Sequence, residues 1–208
     1  MLIDEQNKEA LSQLRQLNCQ IKVLQDHLVN NFLDEQQIDQ LRSLISRCNI
    51  ISSESKKANE RRLPHFDFKS AQINPSAILP FSPVTGEYNP IAPNIDVTFN
   101  QDSKILSATC IMGRLHEGPP GMVHGGIMSA AFDQLLAMCG TCNQLAGPTA
   151  TLSIDFLKPT PLDTEIQFHC SIIKQENRKI FIEGESVVNG EITCKASGLF
   201  IHYQPSKK

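Results

Sequence analysis

The sequence predicts an α+β protein in which one mostly antiparallel sheet curls around a single long helix, preceded by an N-terminal helical hairpin. Three observations carry this. Glycine and proline are both missing until Pro64, while apolar residues over the same stretch recur at gaps of three and four. From Asn94 onward the period changes to two, with apolar and polar residues alternating in short runs. Between those runs Ile127–Ala137 reads as a helix of small and apolar residues. One helix can cover only one face of a sheet, so the sheet should curl around it.

Residues 1–62 hold nine basic and nine acidic side chains. In a first helix Leu14, Leu17, Ile21, Leu24 and Leu28 form an apolar stripe. Asp34-Glu-Gln-Gln37 has the form of a capping box and should start a second helix carrying Ile38, Leu41, Ile45 and Cys48. Such a pair forms an antiparallel hairpin that still has a face to bury, against the main domain or another subunit. Residues 63–93, with prolines at 64, 75, 80, 83, 90 and 93, read as linker and lead-in, wrapping the domain that follows through Phe81–Pro90.

The remaining domain spans residues 94–208. Ile95–Asn100 and Lys104–Met112 flank Gln101-Asp-Ser and suit a hairpin. After the helix, Leu152, Ile154 and Phe156 alternate with polar residues, and so do Ile166, Phe168, Cys170 and Ile172. Lys179–Val188 and Ile192–His202 are joined by Asn189-Gly190, a strong two-residue hairpin signal. The element order is therefore β-β-α-β-β-β-β.

At 208 residues, with net charge −3 and 40% hydrophobic residues, the chain can bury one domain and carry an appendage. Mild acidity argues against a nucleic-acid partner. No apolar run approaches the roughly 20 residues of a membrane span, and Met1-Leu-Ile-Asp-Glu lacks the form of a signal peptide. The cytoplasm is the expected compartment, with no membrane contact. Seven cysteines without a repeated spacing read as reduced packing thiols. Cys139-Gly-Thr-Cys142 has redox spacing, but it sits late in the helix, whereas an activated thiolate prefers a helix amino terminus. No metal or cofactor is expected.

The chemistry concentrates between Gly118 and Asp133. Gly118-Pro-Pro-Gly-Met-Val-His124-Gly125-Gly126 runs into the helix, and a glycine-rich loop at a helix start leaves N–H donors free for a carbonyl oxygen that becomes an oxyanion. Asp133 is the only acid from Gly118 to Ile154, and an ionised group in apolar surroundings asks for a reason.

His124-Gly-Gly, Asp133 on the following helix, and then Thr149-Ala-Thr-Leu-Ser-Ile-Asp-Phe-Leu-Lys-Pro-Thr-Pro-Leu162 resemble the hotdog-fold acyl-CoA thioesterases, specifically the phenylacetyl-CoA thioesterase-like (PaaI-like) group of the thioesterase superfamily. The similarity covers about residues 80–203 and leaves out the first 60. It implies hydrolysis of an acyl-CoA thioester, with Asp133 acting directly or through water. It further implies an oxyanion N–H from Gly126, a Thr149 hydroxyl holding the water or the acid, and His124 polarising the carbonyl or bracing the loop. Gly125, Val123 and Met128 are assigned to substrate binding, in a tunnel lined by Ile127, Met128, Ala131, Leu135 and Met138. Relatives with an amide side chain shortly before His-Gly-Gly find no counterpart here, where the loop reads His116-Glu-Gly-Pro-Pro-Gly. The same loop faintly resembles hotdog dehydratases, but Ala130 stands where their helix glutamate would be.

Geometry adds a condition. Seven residues separate Gly126 from Asp133, roughly 10 Å along one helix. If both act on one thioester they come from different chains, in a homodimer or a dimer of dimers. General base and nucleophile both remain open for Asp133. A reading of another class is a non-catalytic acyl-CoA-binding or regulatory module whose N-terminal helices contact a partner. For the nucleotide of coenzyme A, Arg114, Lys158, Arg178 and Lys179 are available.

Overall fold

A computed structural model of the chain describes residues 5–54 and 68–202. The end of the expected hairpin unit, the start of the linker and residues 203–208 lie outside the described residues. Four α-helices and six strands follow in the order α1 (Glu5–Asn30), α2 (Glu35–Ser53), α3 (Phe68–Ile73), β1 (Asp96–Phe99), β2 (Leu106–Ile111), α4 (Gly125–Cys142), β3 (Thr149–Phe156), β4 (Glu165–Glu176), β5 (Lys179–Val188) and β6 (Glu191–Ile201). The strands form one antiparallel sheet ordered β1-β2-β4-β5-β6-β3, which leaves β3 at an edge.

Alternation decides which face is inside. Ile166 and Phe168 on β4 point inward and are fully buried, while Glu165, Gln167 and His169 point out. α4 meets that inner face from β2 to β6. Phe132 packs edge-on against Phe168, with ring centroids 5.4 Å apart at 78°. Leu136 sits over two strands where the sheet has glycine: a Cβ at Gly184 would lie 3.1 Å, and one at Gly198 3.2 Å, from its methyl groups. The helix therefore sinks close to the sheet. Irregular register near Thr149, Ile172 and Ser186 adds the local bends by which the sheet curls.

Turn chemistry follows the sequence. Asn189 and Gly190 have φ of 52° and 80°, as a two-residue hairpin turn of this kind requires. Asp34 caps α2 reciprocally, accepting from the Gln37 N–H at 2.8 Å while the Gln37 side chain accepts from the Asp34 N–H at 3.0 Å. Asp34→Ala should therefore fray the first turn of α2, a loss of about 1 kcal/mol of helix stability visible as faster amide exchange there. The sheet domain should keep its melting temperature, because α2 contributes no buried residue.

Two expectations need correction. The segment before β1 is more than a linker, because α3 docks on α4: Ala71 is 1% exposed and Gln72 Nε2 donates to the Cys142 carbonyl at 2.7 Å. α4 runs from Gly125 to Cys142, so the Cys139-Gly-Thr-Cys142 segment placed late in the helix closes it, with Cys139 and Cys142 fully buried. On α1 the expected stripe is only half used. Leu14, Leu17 and Leu28 are exposed, and the helix turns Asn18, Ile21, Lys22, Leu24 and Gln25 toward the domain. α2 buries nothing, so the hairpin unit has no packed interior of its own.

Candidate active site

The loop before α4 is a tight turn whose donors are mostly satisfied. Gly121 takes φ 77°, the Gly118 N–H donates to the Met122 carbonyl at 2.9 Å, and the Gly121 N–H donates to Glu117 Oε1 at 2.8 Å. Glu117 is thus a brace for this turn, further held by Arg114 at 3.5 Å. The Val123 N–H donates to the Thr160 carbonyl at 2.8 Å, tying the loop to the segment between β3 and β4.

His124 is the N-cap of α4. Its backbone is extended, with φ −63° and ψ 130°, and its Nδ1 accepts the Gly126 N–H at 2.9 Å. A neutral ring accepting at Nδ1 carries its proton on Nε2. The N–H groups of Ile127 and Met128 both donate to the His124 carbonyl. One amide at the helix start has no partner among the described residues: that of Gly125. The Gly126 donor, expected to face an oxyanion, is taken up here by the cap. Spacing shows only that a glycine pair opens the helix; the rotamer of His124 decides which amide stays free.

Asp133 stands two turns further along α4, half-buried. Thr149, the first residue of β3, donates its hydroxyl to Asp133 Oδ1 at 2.7 Å. Oδ2 has no partner among the described residues. The placement of Thr149 is rigid because its approach is: a Cβ on Gly147 would lie 2.0 Å from the Ile201 carbonyl oxygen, and the Ile201 N–H donates to the Pro148 carbonyl at 3.1 Å. Next to the acid, Gln134 accepts from the Ser82 hydroxyl at 3.0 Å, a contact from the proline-rich lead-in that the sequence reading missed. A lone amide in an apolar helix was the one signal available for it.

Two of the residues assigned to substrate binding are buried in the protomer. Met128, at 1% exposure, and Val123, at 6%, belong to the protomer's core. Ala131, Leu135 and Met138 of the expected tunnel are core residues as well. The alternate face of α4 is different: Gly126, Ala130, Asp133 and Ala137 lie on it and are exposed or half-buried. Gly125 is half-buried beneath the ring of Phe156, which a Cβ there would meet at 3.3 Å.

Other groups are accounted for structurally. Burial pushes the thiol of Cys139 up to about 12 and that of Cys142 up to about 11, so both stay protonated and unreactive at neutral pH. Lys158 pairs with Glu191 at 2.8 Å, and Arg178 donates to the His202 carbonyl at 3.3 Å. Arg114 donates to the Val29 carbonyl at 3.3 Å, so these cations do not form one cluster.

An antiparallel sheet rolled around one helix is a hotdog fold, here with a carboxylate on that helix and an amide free at its start. Residues 120–195 match the family model of the thioesterase superfamily, and the likeness carried by His124-Gly-Gly, Asp133 and the β3 segment stands. Among curated relatives, acyl-coenzyme A thioesterase THEM4 of Bos taurus is 34% identical over 110 residues, 52% of this chain and 45% of that protein. THEM4 of Rattus norvegicus is 35% identical over 98 residues, 46% of this chain and 42% of that protein. The chain thus spans less than half the length of these relatives. A crystal structure of a thioesterase superfamily protein superposes with a TM-score of 0.76 over 90% of each chain at 23% identity, a likeness of fold.

Proposed function

We propose that this chain hydrolyses acyl-CoA thioesters to a free acid and coenzyme A, in a homodimer whose two sites each combine Asp133 of one protomer with Gly125 of the other. The observation that carries the reading is the pairing, on one helix, of a hydroxyl-held carboxylate and an unpartnered N–H at the helix start. The names of the curated relatives support the substrate class.

Eight residues separate the two groups, roughly 12 Å along α4, too far for one carbonyl to use both from the same chain. A two-fold axis solves this by bringing two α4 helices together. The small side chains at Gly126, Ala130 and Ala137 let a second helix approach closely, and the free outer edge of β3 can pair with its own copy.

A thioester carbonyl is already activated, so the site has two tasks. The Gly125 N–H, favoured by the helix dipole, stabilises the oxyanion as it forms. Asp133 Oδ2 either takes a proton from a water that attacks the carbonyl carbon, or attacks it directly to form a mixed anhydride that water then opens. Either way the carbon–sulfur bond breaks and the thiolate leaves and is protonated. Thr149 fixes the rotamer of the acid, and the Nε2–H of His124 is a second donor for the carbonyl.

A panel of acyl-CoAs of increasing length, with thiol release as the readout, tests the activity. Thr149→Val removes the bond to Oδ1 and should lower kcat by about tenfold or more, the low end for a positioned acid–base group, with little change in melting temperature. If ligands raise the melting temperature but no acyl-CoA is turned over, the non-catalytic binding module takes its place.

A further inference from the structure

α1 meets the domain through Ile21 and Leu24 and through several polar groups. Asn18 is 5% exposed, Lys22 Nζ donates to Asn94 Oδ1 at 2.8 Å, and Arg15 pairs with Glu87 at 3.1 Å. The helix lies against the short 3₁₀ turn Arg114–His116, where Arg114 Nη1 donates to the Val29 carbonyl at 3.3 Å. Asn18 Nδ2 and Gln25 Oε1 on α1, and Nδ1 of His116 in the turn, are buried with no hydrogen-bond partner. Orphan polar atoms lose their hydration without replacement, so a face carrying them is held weakly.

His116 connects this seam to the site. Its carbonyl accepts the His124 N–H at 2.8 Å, and His124 Nδ1 accepts the Gly126 N–H at 2.9 Å. The start of α4, with its unpartnered Gly125 amide, is therefore two hydrogen bonds from the residue that α1 covers.

We infer that α1 is a detachable brace for the loop that opens α4, and that His116 is the positioning residue through which it acts. This rests on the proposed thioesterase reading only for its effect on rate.

The imidazole is suited to switching. Burial lowers its proton affinity most, and Lys22 on α1 lowers it further, while hydrogen bonding to the Ile91 backbone acts the other way. Around it, α1 brings one cation, Lys22, and the 91–94 segment brings the Ile91 backbone and the uncharged Asn94. The ring's own turn brings Arg114 and Glu117, which pair with each other. Protonation would set a second cation near Lys22, whose ammonium has Asn94 as its partner and no carboxylate among the described residues. With the docked value below the ordinary 6.5, docking is fully present above that pH and is lost as pH falls through the docked ring's lower value.

The test is hydrogen exchange and steady-state kinetics on the full chain between about pH 8 and about pH 5, the window in which histidine changes charge. After correction for intrinsic exchange, amides of α1 and of His124, Gly126, Ile127 and Met128 should lose protection together as pH falls, with kcat falling and KM unchanged. His116→Gln, which can hydrogen-bond but not titrate, should flatten that dependence, isolating His116 from every other ionisable group. His116→Lys, a fixed cation, should speed α1 exchange by at least about tenfold near pH 8, because its charge would be buried beside Lys22 without a partner. α1 protection unchanged in His116→Lys would overturn the proposal. So would an α1 that loosens while His124, Gly126, Ile127 and Met128 stay protected. Exchange is read without substrate, so a lack of thioester turnover would count against the proposed function and leave this test standing.

Discussion

Asp133→Asn is expected to lose about 10²–10⁴-fold in turnover of acyl-CoA, the range for a positioned acid or base, while keeping its fold and the proposed dimer. Asparagine retains a carbonyl oxygen where Oδ1 accepts from Thr149, so the hydrogen bond of 2.7 Å has an acceptor in both proteins. Only the basicity of the second oxygen is removed. Melting temperature should hold or rise, since a half-buried carboxylate with a single described partner is a burden to the folded state. Thiol release followed across substrate concentrations decides the matter: unchanged kcat would take Asp133 out of the chemistry.

Gly125→Pro should cost about 10²–10³-fold in kcat, the effect of deleting one oxyanion donor. The substitution is unusually clean. Gly125 is the first residue of α4, a position that tolerates proline, and its N–H has no partner to lose. His124 already has the extended backbone that a residue before proline prefers. The added Cβ meets the ring of Phe156 at 3.3 Å, and that side chain is 55% exposed, with space to give way. Gly125→Ala is the control: it adds the Cβ, keeps the donor, and should retain most activity. If alanine and proline are equally damaging, the loss is steric and the oxyanion role falls.

Together the two variants test the shared site. Mixed and re-associated, Asp133→Asn and Gly125→Pro protomers form hybrid dimers in which one site carries both lesions and the other carries none. About half of random dimers are hybrids with one of two sites intact, so roughly a quarter of wild-type activity should return. No recovery would mean that each protomer completes its own site.

Much of the architecture was legible because it depends on local rules. Asn189-Gly190 specifies a hairpin turn, Asp34 and Gln37 specify a helix start, and alternation at Ile166, Phe168 and Cys170 separates the two faces of β4. The site's acid was legible for a related reason: a lone carboxylate in an apolar helix contradicts its surroundings. Its hydroxyl partner came through the family likeness, since nothing local links residue 149 to residue 133.

What stayed hidden depends on which of several equivalent faces or donors is used. An apolar stripe on α1 looks buried by its period, yet contact with the domain uses a mixed face that keeps Ile21 and Leu24, adds Asn18, Lys22 and Gln25, and leaves Leu14, Leu17 and Leu28 exposed. Met128 and Val123 look like ligand contacts by their neighbours, and the curvature of the sheet turns them into core.

By itself the sequence determined the order of the strands and the central helix, the hairpin turn and the acid on that helix, because periodicity and capping act within a few residues. The tertiary structure decided the rest: that Thr149 reaches Asp133, that α1 covers His116, and that the His124 ring occupies the amide of Gly126 and leaves that of Gly125 open. Those outcomes turn on rotamers and on contacts between distant segments, which packing sets and spacing does not encode.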